Sequence, residues 1–172
     1  ASAMVALQQA VNHLHAFPRH RAVVVAAEIC SAAYFFDDRL ESAVAHAIFA
    51  DGAGALAVSG EGEGPAIVGH QSLFRSEHLP AMGFEFPGGR QRVVLSKEVR
   101  RIGATMMKEM ADSLMVSQGL KKDDVRHFVL HSAGRRVIER ARRLMDLDDS
   151  QVAHSRFVLK RYFNVMGLAV RA

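Results

Sequence analysis

The 172-residue sequence has one cysteine, no tryptophan, two tyrosines and four prolines. A single thiol, Cys30, cannot close an internal disulfide, which excludes a disulfide-stapled secreted scaffold and fits a reducing, cytoplasmic setting. No stretch has the unbroken apolar length of a membrane span, and the first residues show no charged segment, apolar core and cleavage site of a signal peptide. Metal ligands are scarce as well. His13 and His15 lie two apart on a helical pattern and point away from each other, and His20 follows a proline. No cysteine or carboxylate completes a set at zinc spacing, so no metal is expected. Asp51-Gly52-Ala53-Gly54 lacks the lysine of a phosphate loop and follows a helical pattern, where a dinucleotide fingerprint follows a strand.

What is present is an aliphatic, basic chain: 49% hydrophobic residues, 23% charged residues and a net charge of +4. The first sixty residues hold more acids than bases, so the positive excess lies wholly in the later part. Those bases are mixed with acids on helical faces and form no strip interleaved with aromatics, which argues against nucleic acid as a partner. The length suffices for a substantial core.

Along the chain, Met4, Val5, Leu7, Ala10, Val11 and Leu14 recur at helical spacing and predict a largely buried helix, ended at Phe17-Pro18. The continuous apolar run 22–27 predicts a strand covered on both faces. Asp37-Asp38 are placed to cap a helix over 39–48, and the bend at 51–54 leads into a strand over 55–59. Residues 60–65 read as a linker and 66–73 as a strand. The segment 75–92, with Pro80, Pro87 and Gly88-Gly89 around Phe84 and Phe86, reads as a long loop or a hairpin.

A long amphipathic helix is expected over 97–118, with Met106, Met107, Met110, Leu114 and Met115 on a core stripe, ended by Gly119. A strand over 125–130 and a helix over 135–144 follow, the helix with Val137, Ile138, Ala141 and Leu144 inward. Asp148-Asp149-Ser150 then cap a helix that leads toward Asn164. Alternating strands and helices imply an α/β fold in stacked α/β/α layers.

Two residues stand out as chemistry. His131 ends the apolar run 127–130, and Asn164 follows thirty-three residues later in Arg161-Tyr162-Phe163-Asn164. Two neutral N–H donors aimed at one point suit a developing enolate or oxyanion. A thiol to complete the set is missing nearby. Cys30 is expected at a strand end with no base beside it, lacking what lowers a thiol pKa.

Val23 to Ser31, Ala47-Ile48-Phe49-Ala50-Asp51-Gly52-Ala53-Gly54-Ala55, His131-Ser132-Ala133-Gly134, Ser155-Arg156-Phe157-Val158-Leu159 and Asn164 resemble, in order, the chalcone and stilbene synthases. These are type III polyketide synthases of the thiolase-like superfamily. The resemblance implies a thiolase-like layered fold present in part, with 1–60 from the N-terminal lobe, beginning at the nucleophile helix, and 66–172 from the C-terminal lobe. It implies a cysteine nucleophile one residue before Ala1, aligned through Glu28, and a chain that alone is inactive. His131 and Asn164 become the catalytic pair for decarboxylating malonyl-coenzyme A, which then condenses with an acyl-coenzyme A starter.

By the same resemblance Phe49 is an aromatic gate, and Cys30 and Ala33 line the cavity. Val93 stands where a second gating phenylalanine is usual, a role open to Phe84 or Phe86. Ala133 and Gly134 stand where the family has glycines near the coenzyme A arm. No cofactor is implied beyond the coenzyme A of the substrates, whose phosphates suit the basic later part. A cytoplasmic homodimer is implied. Two alternatives remain: a ketoacyl-carrier-protein synthase III, and a non-catalytic remnant acting as a binding or dimerisation unit.

Overall fold

The computed structural model describes residues 2–162, so Asn164 lies outside the described residues, as does the side chain of Ala33. The order is α1 (Ser2–Ala16), β1 (Arg21–Glu28), α2 (Leu40–Ile48), β2 (Gly52–Ser59), β3 (Met82–Glu85), β4 (Arg92–Leu95), α3 (Val99–Ser117), α4 (Arg135–Leu144) and α5 (Ala153–Tyr162). Short 3₁₀ turns occupy 30–33, 76–81, 87–89 and 122–124. β1 pairs antiparallel with β2, Arg21 opposite Ser59 and Glu28 opposite Gly52. β3 and β4 form a separate antiparallel hairpin, Met82 opposite Leu95 and Glu85 opposite Arg92.

The apolar run of β1 is not covered on both faces. Burial alternates along it, and Val23 and Val25 are 67% and 66% exposed. α1 packs on β1 through one face and buries only Leu14, so it too is far more open than its apolar content suggests. An apolar run sets the capacity for burial; neighbouring layers decide whether it is used.

The core lies between α3, α4, α5 and the segment 125–130. Ala104, Phe128, Leu130, Ile138, Ala141, Met145, Leu147 and Val152 form it, with Met107, Ala111 and Met115 packed alongside. Arg135, Arg136, Arg140 and Arg143 of α4 face solvent, while Val137, Ile138 and Ala141 face the core. Leu144 departs from the expected inward set. It is exposed, and Met145 and Leu147 are buried in its place.

The end of α4 explains that shift. Leu147 N–H donates to the Arg142 carbonyl at 2.9 Å and Asp146 N–H to that of Arg143 at 3.3 Å, with Asp146 at φ 51°. This is a Schellman ending built on an aspartate, and it turns the chain so that Leu147 points inward. Lys122 holds the turn through the Asp146 carbonyl and carboxylate, at 2.9 and 2.8 Å. α3 ends the same way on Gly119, at φ 66°.

The expected strands at 66–73 and 125–130 carry no ladder among the described residues. The second still alternates as a strand does, with Phe128 and Leu130 buried and Val129 exposed. Its amides bond to side chains and backbone of the following segment instead: Phe128 N–H to the Gln151 carbonyl at 2.8 Å, Leu130 N–H to Ser155 Oγ at 2.8 Å. Asp37 also departs from its expected role. It accepts the Arg39 N–H at 3.1 Å, and Arg39 itself is the N-cap of α2, without a side-chain cap bond. Among the described residues no helix is long and apolar enough to cross a membrane.

Candidate active site

Two cavities organise the residues singled out from sequence. One, about 300 Å³, lies where the end of β1, the C-terminal half of α2 and the β3–β4 hairpin meet. Cys30, Phe49 and Val93 all line it, though they come from three separated stretches of sequence. Phe84 lines it too. Its place follows from register, since Phe84 sits directly opposite Val93 in the hairpin and cross-strand partners share a face. Phe86, two residues further and just past the end of β3, is not among the lining residues.

The hairpin is fixed over this cavity by Arg92. Its guanidinium donates to Glu85 at 2.6 Å and to Asp37 at 3.3 Å, and lies 5.6 Å from the centre of the Phe35 ring. Two carboxylates and one aromatic face therefore hold one planar cation between the hairpin and the loop before α2. The hydrogen bond from Arg92 holds the Glu85 carboxyl below the usual glutamate range. Among the described residues no group of three or more His, Cys, Asp or Glu could hold a metal.

Cys30 follows the end of β1. Burial pushes its thiol up, and the charges of Glu28 and Asp51 add to the rise. Asp51 is held nearby by the Ser31 N–H at 2.8 Å and hydroxyl at 2.6 Å. A thiol facing two carboxylates is a poor nucleophile at neutral pH. Its setting suits a small wall residue.

The second cavity is an apolar groove of about 830 Å³ bounded by α3, the strip 66–69 and the segment 125–131, with His131 among its lining residues. Met106 and Met110 of α3 line it together with Met107 and Met115, so the methionine stripe is shared between core and groove. The two cavities have no lining residue in common. Burial pushes the His131 imidazole below the usual histidine range, which keeps it neutral at pH 7 and leaves one ring N–H to donate.

Beyond His131 the chain turns sharply: Ala133 N–H donates to the His131 carbonyl at 2.8 Å, and Gly134, at φ 134°, is the N-cap of α4. That φ favours glycine, although a Cβ there would meet nothing within 4 Å. Ser132 is wholly buried, and its hydroxyl has no hydrogen-bond partner among the described residues.

Sequence reasoning missed Tyr34 and His46, which also line the smaller cavity. The usable signal was helical spacing. His46 lies three residues before Phe49, so both occupy one face of α2 and its continuation. Tyr34 carried no signal, because its placement depends on a loop closing back onto that helix.

These elements compose part of a thiolase-like α/β fold. Residues 1–74 match the family model described as 3-oxoacyl-[acyl-carrier-protein (ACP)] synthase III. The chain is 32% identical over 155 residues to a 3,5-dihydroxyphenylacetyl-CoA synthase of Amycolatopsis balhimycina, a match covering 87% of this chain and 42% of that protein. Among solved structures it resembles PKS-I from the brown alga Ectocarpus siliculosus, with a TM-score of 0.87, 30% identity, and 95% of this chain against 45% of that one. The 1,3,6,8-tetrahydroxynaphthalene synthase of Streptomyces coelicolor shares the fold, with a TM-score of 0.89, 22% identity and 98% against 49% coverage. The chain is thus similar, over most of its length, to type III polyketide synthases, which are chalcone synthase-like proteins. It spans less than half the length of these relatives.

Proposed function

We propose that the protein containing these residues is a type III polyketide synthase, joining malonyl-coenzyme A to an acyl-coenzyme A starter by decarboxylative condensation. Residues 1–60 and 66–172 contribute to its two lobes. The observation that carries this reading is the meeting of Cys30, Phe49, Val93 and Phe84 in one cavity of about 300 Å³, walled largely by apolar side chains. A growing acyl chain fits such a space, with Phe49 and Phe84 as its aromatic walls and Ala33 three residues after Cys30 in sequence.

In the reaction, malonyl-coenzyme A loses carbon dioxide and its thioester oxygen gains enolate charge. Neutral His131 donates a hydrogen bond to that oxygen, and Asn164 is the second donor. The enolate carbon then attacks the acyl thioester, and the enzyme's thiolate leaves. That thiolate does not come from Cys30, whose surroundings oppose ionisation. Ala133 and Gly134 shape the turn beside His131, where the coenzyme A arm would pass. No metal or organic cofactor enters this scheme. A cytoplasmic homodimer fits the lone cysteine and the exposed Met4, Val5, Val23 and Val25 on α1 and β1.

The test is incubation of the gene product with acyl-coenzyme A and carboxyl-labelled malonyl-coenzyme A. Release of labelled carbon dioxide together with a condensed product is expected, and both should fall at least a hundredfold in His131→Ala. A wild-type protein that yields neither would sink the reading. The match of residues 1–74 favours a second reading, condensation on a carrier protein. Turnover of malonyl-carrier protein with none of malonyl-coenzyme A would select it.

A further inference from the structure

His46 lies on α2, one turn before Phe49, and its ring is held by three neighbours. Nε2 accepts the backbone N–H of Phe35 at 3.1 Å, the Tyr34 ring lies 4.6 Å away, centroid to centroid, and Phe36 meets the ring edge-on at 5.3 Å. Tyr34 in turn directs its hydroxyl to the backbone oxygens of His46 and Phe49, at 3.4 and 3.5 Å. The loop 34–36 and the end of α2 thus fix one another.

That hydrogen bond decides where the ring proton sits. An imidazole nitrogen accepting an amide N–H carries no proton, so in this arrangement the proton is on Nδ1. No protein group accepts from Nδ1 among the described residues. The ring lines the 300 Å³ cavity, whose walls are otherwise largely apolar. Of the other polar side chains there, Glu28 offers acceptor oxygens, Tyr34 has turned its hydroxyl to the backbone, and Gln91, on the hairpin, carries an amide donor that no hydrogen bond holds in place among the described residues. A fixed ring with one uncommitted donor on an apolar wall is a recognition element for an acceptor oxygen.

We propose that His46 is a substrate-binding residue whose Nδ1–H donates to a carbonyl oxygen of the chain held in this cavity. The proposal rests on the reading that the cavity holds the acyl chain. A β-ketoacyl chain carries an acceptor oxygen on every second carbon, so one fixed donor selects which carbonyl lies beside it and hence the register of the chain. With Nε2 committed to Phe35, His46 offers no acceptor, and a ligand group that can only donate gains nothing there. With the acyl chain of the proposed reaction in the cavity, the class of ligand is a keto-thioester, bound through its ketone or thioester oxygen.

The two nitrogens can be tested separately. In His46→Gln the side-chain oxygen reaches the Nε2 position and still accepts from Phe35, leaving no donor at Nδ1. In His46→Asn the amide reaches the Nδ1 position and abandons Phe35. The probe is the acetoacetyl thioester of N-acetylcysteamine, titrated into protein carrying ¹⁵N-histidine. The expected result is a shift of the Nδ1-bound proton of His46 in the wild type. Binding should weaken about tenfold in His46→Gln at unchanged melting temperature, and stay near wild type in His46→Asn at a lowered melting temperature.

Wild-type affinity in His46→Gln, an unmoved His46 proton, or no binding by the wild type overturns the proposal. Condensation from acyl- and malonyl-coenzyme A is scored separately. A protein that condenses while His46→Gln binds normally keeps the polyketide synthase reading and loses this one. A protein that binds the probe through His46 without condensing does the reverse.

Discussion

The hydroxyl of Ser155 on α5 accepts the backbone N–H of Leu130 at 2.8 Å and lies 3.2 Å from the Phe128 carbonyl, to which it donates. All three residues are buried. One side chain thus satisfies two core backbone groups of the segment that ends at His131, in place of a neighbouring strand. Ser155→Ala leaves both unpaired and should cost about 2 kcal/mol of stability. Ser132→Ala is the contrasting case, since its buried hydroxyl has no partner to lose among the described residues. That variant should be neutral or up to about 1 kcal/mol more stable. Urea unfolding of both settles the matter, and equal losses in the two would show that the Ser155 bonds contribute nothing.

His131 titrates below an ordinary histidine because burial disfavours its charged form. The sign follows from linkage: the unfolded chain binds the proton more readily than the folded one, so stability from neutral His131 is complete above pH of about 6.5 and declines as pH falls through that value. The melting temperature should therefore drop between pH 7 and pH 5 by more in the wild type than in His131→Gln. Parallel curves for the two would show that His131 does not titrate differently in the fold.

Cys30 should alkylate slowly. Burial, followed by the charges of Glu28 and Asp51, pushes the thiol up, leaving less thiolate at neutral pH than a free cysteine has. With iodoacetamide at pH 7.5 its rate should fall several-fold below that of glutathione and climb as pH rises. A rate faster than glutathione, or an acyl group found on Cys30 after incubation with acyl-coenzyme A, would identify it as a nucleophile.

Much of this was legible in the sequence, for reasons that differ by element. α3, α4 and the ending at Gly119 follow from periodicity and one special residue, both local properties. The cavity residues Cys30, Phe49 and Val93 were named through family resemblance, and the structure brings them together without testing their roles. What was not legible depends on partners. The strips 66–73 and 125–130 have the composition of strands, but a ladder needs a neighbour at hydrogen-bonding distance, and none exists among the described residues. The inward turn at Leu147 was hidden for another reason: it needs an aspartate in the left-handed region, held by a lysine twenty-four residues away.

Arg92 carries the last prediction, because a single guanidinium ties the hairpin that supplies Phe84 and Val93 to the loop that supplies Tyr34. It bonds to Glu85 and Asp37 and lies over Phe35. Arg92→Met keeps the apolar stem and removes all of these polar bonds, while Arg92→Lys keeps charge without the planar fork. Amide hydrogen exchange over 82–95 should quicken in Arg92→Met and, to a smaller degree, in Arg92→Lys, with α3 and α4 unchanged. Acid should act on the wild type in the same place. The hydrogen bond from Arg92 holds the Glu85 carboxyl below its usual value, so the tie is complete above about pH 4.3 and weakens as pH falls through the lower folded value. Protection factors over 82–95 should therefore fall between pH 5 and pH 3 in the wild type and stay flat in Arg92→Met. Equal protection in the wild type and Arg92→Met at both pH values would show that strand pairing alone holds the hairpin over the cavity.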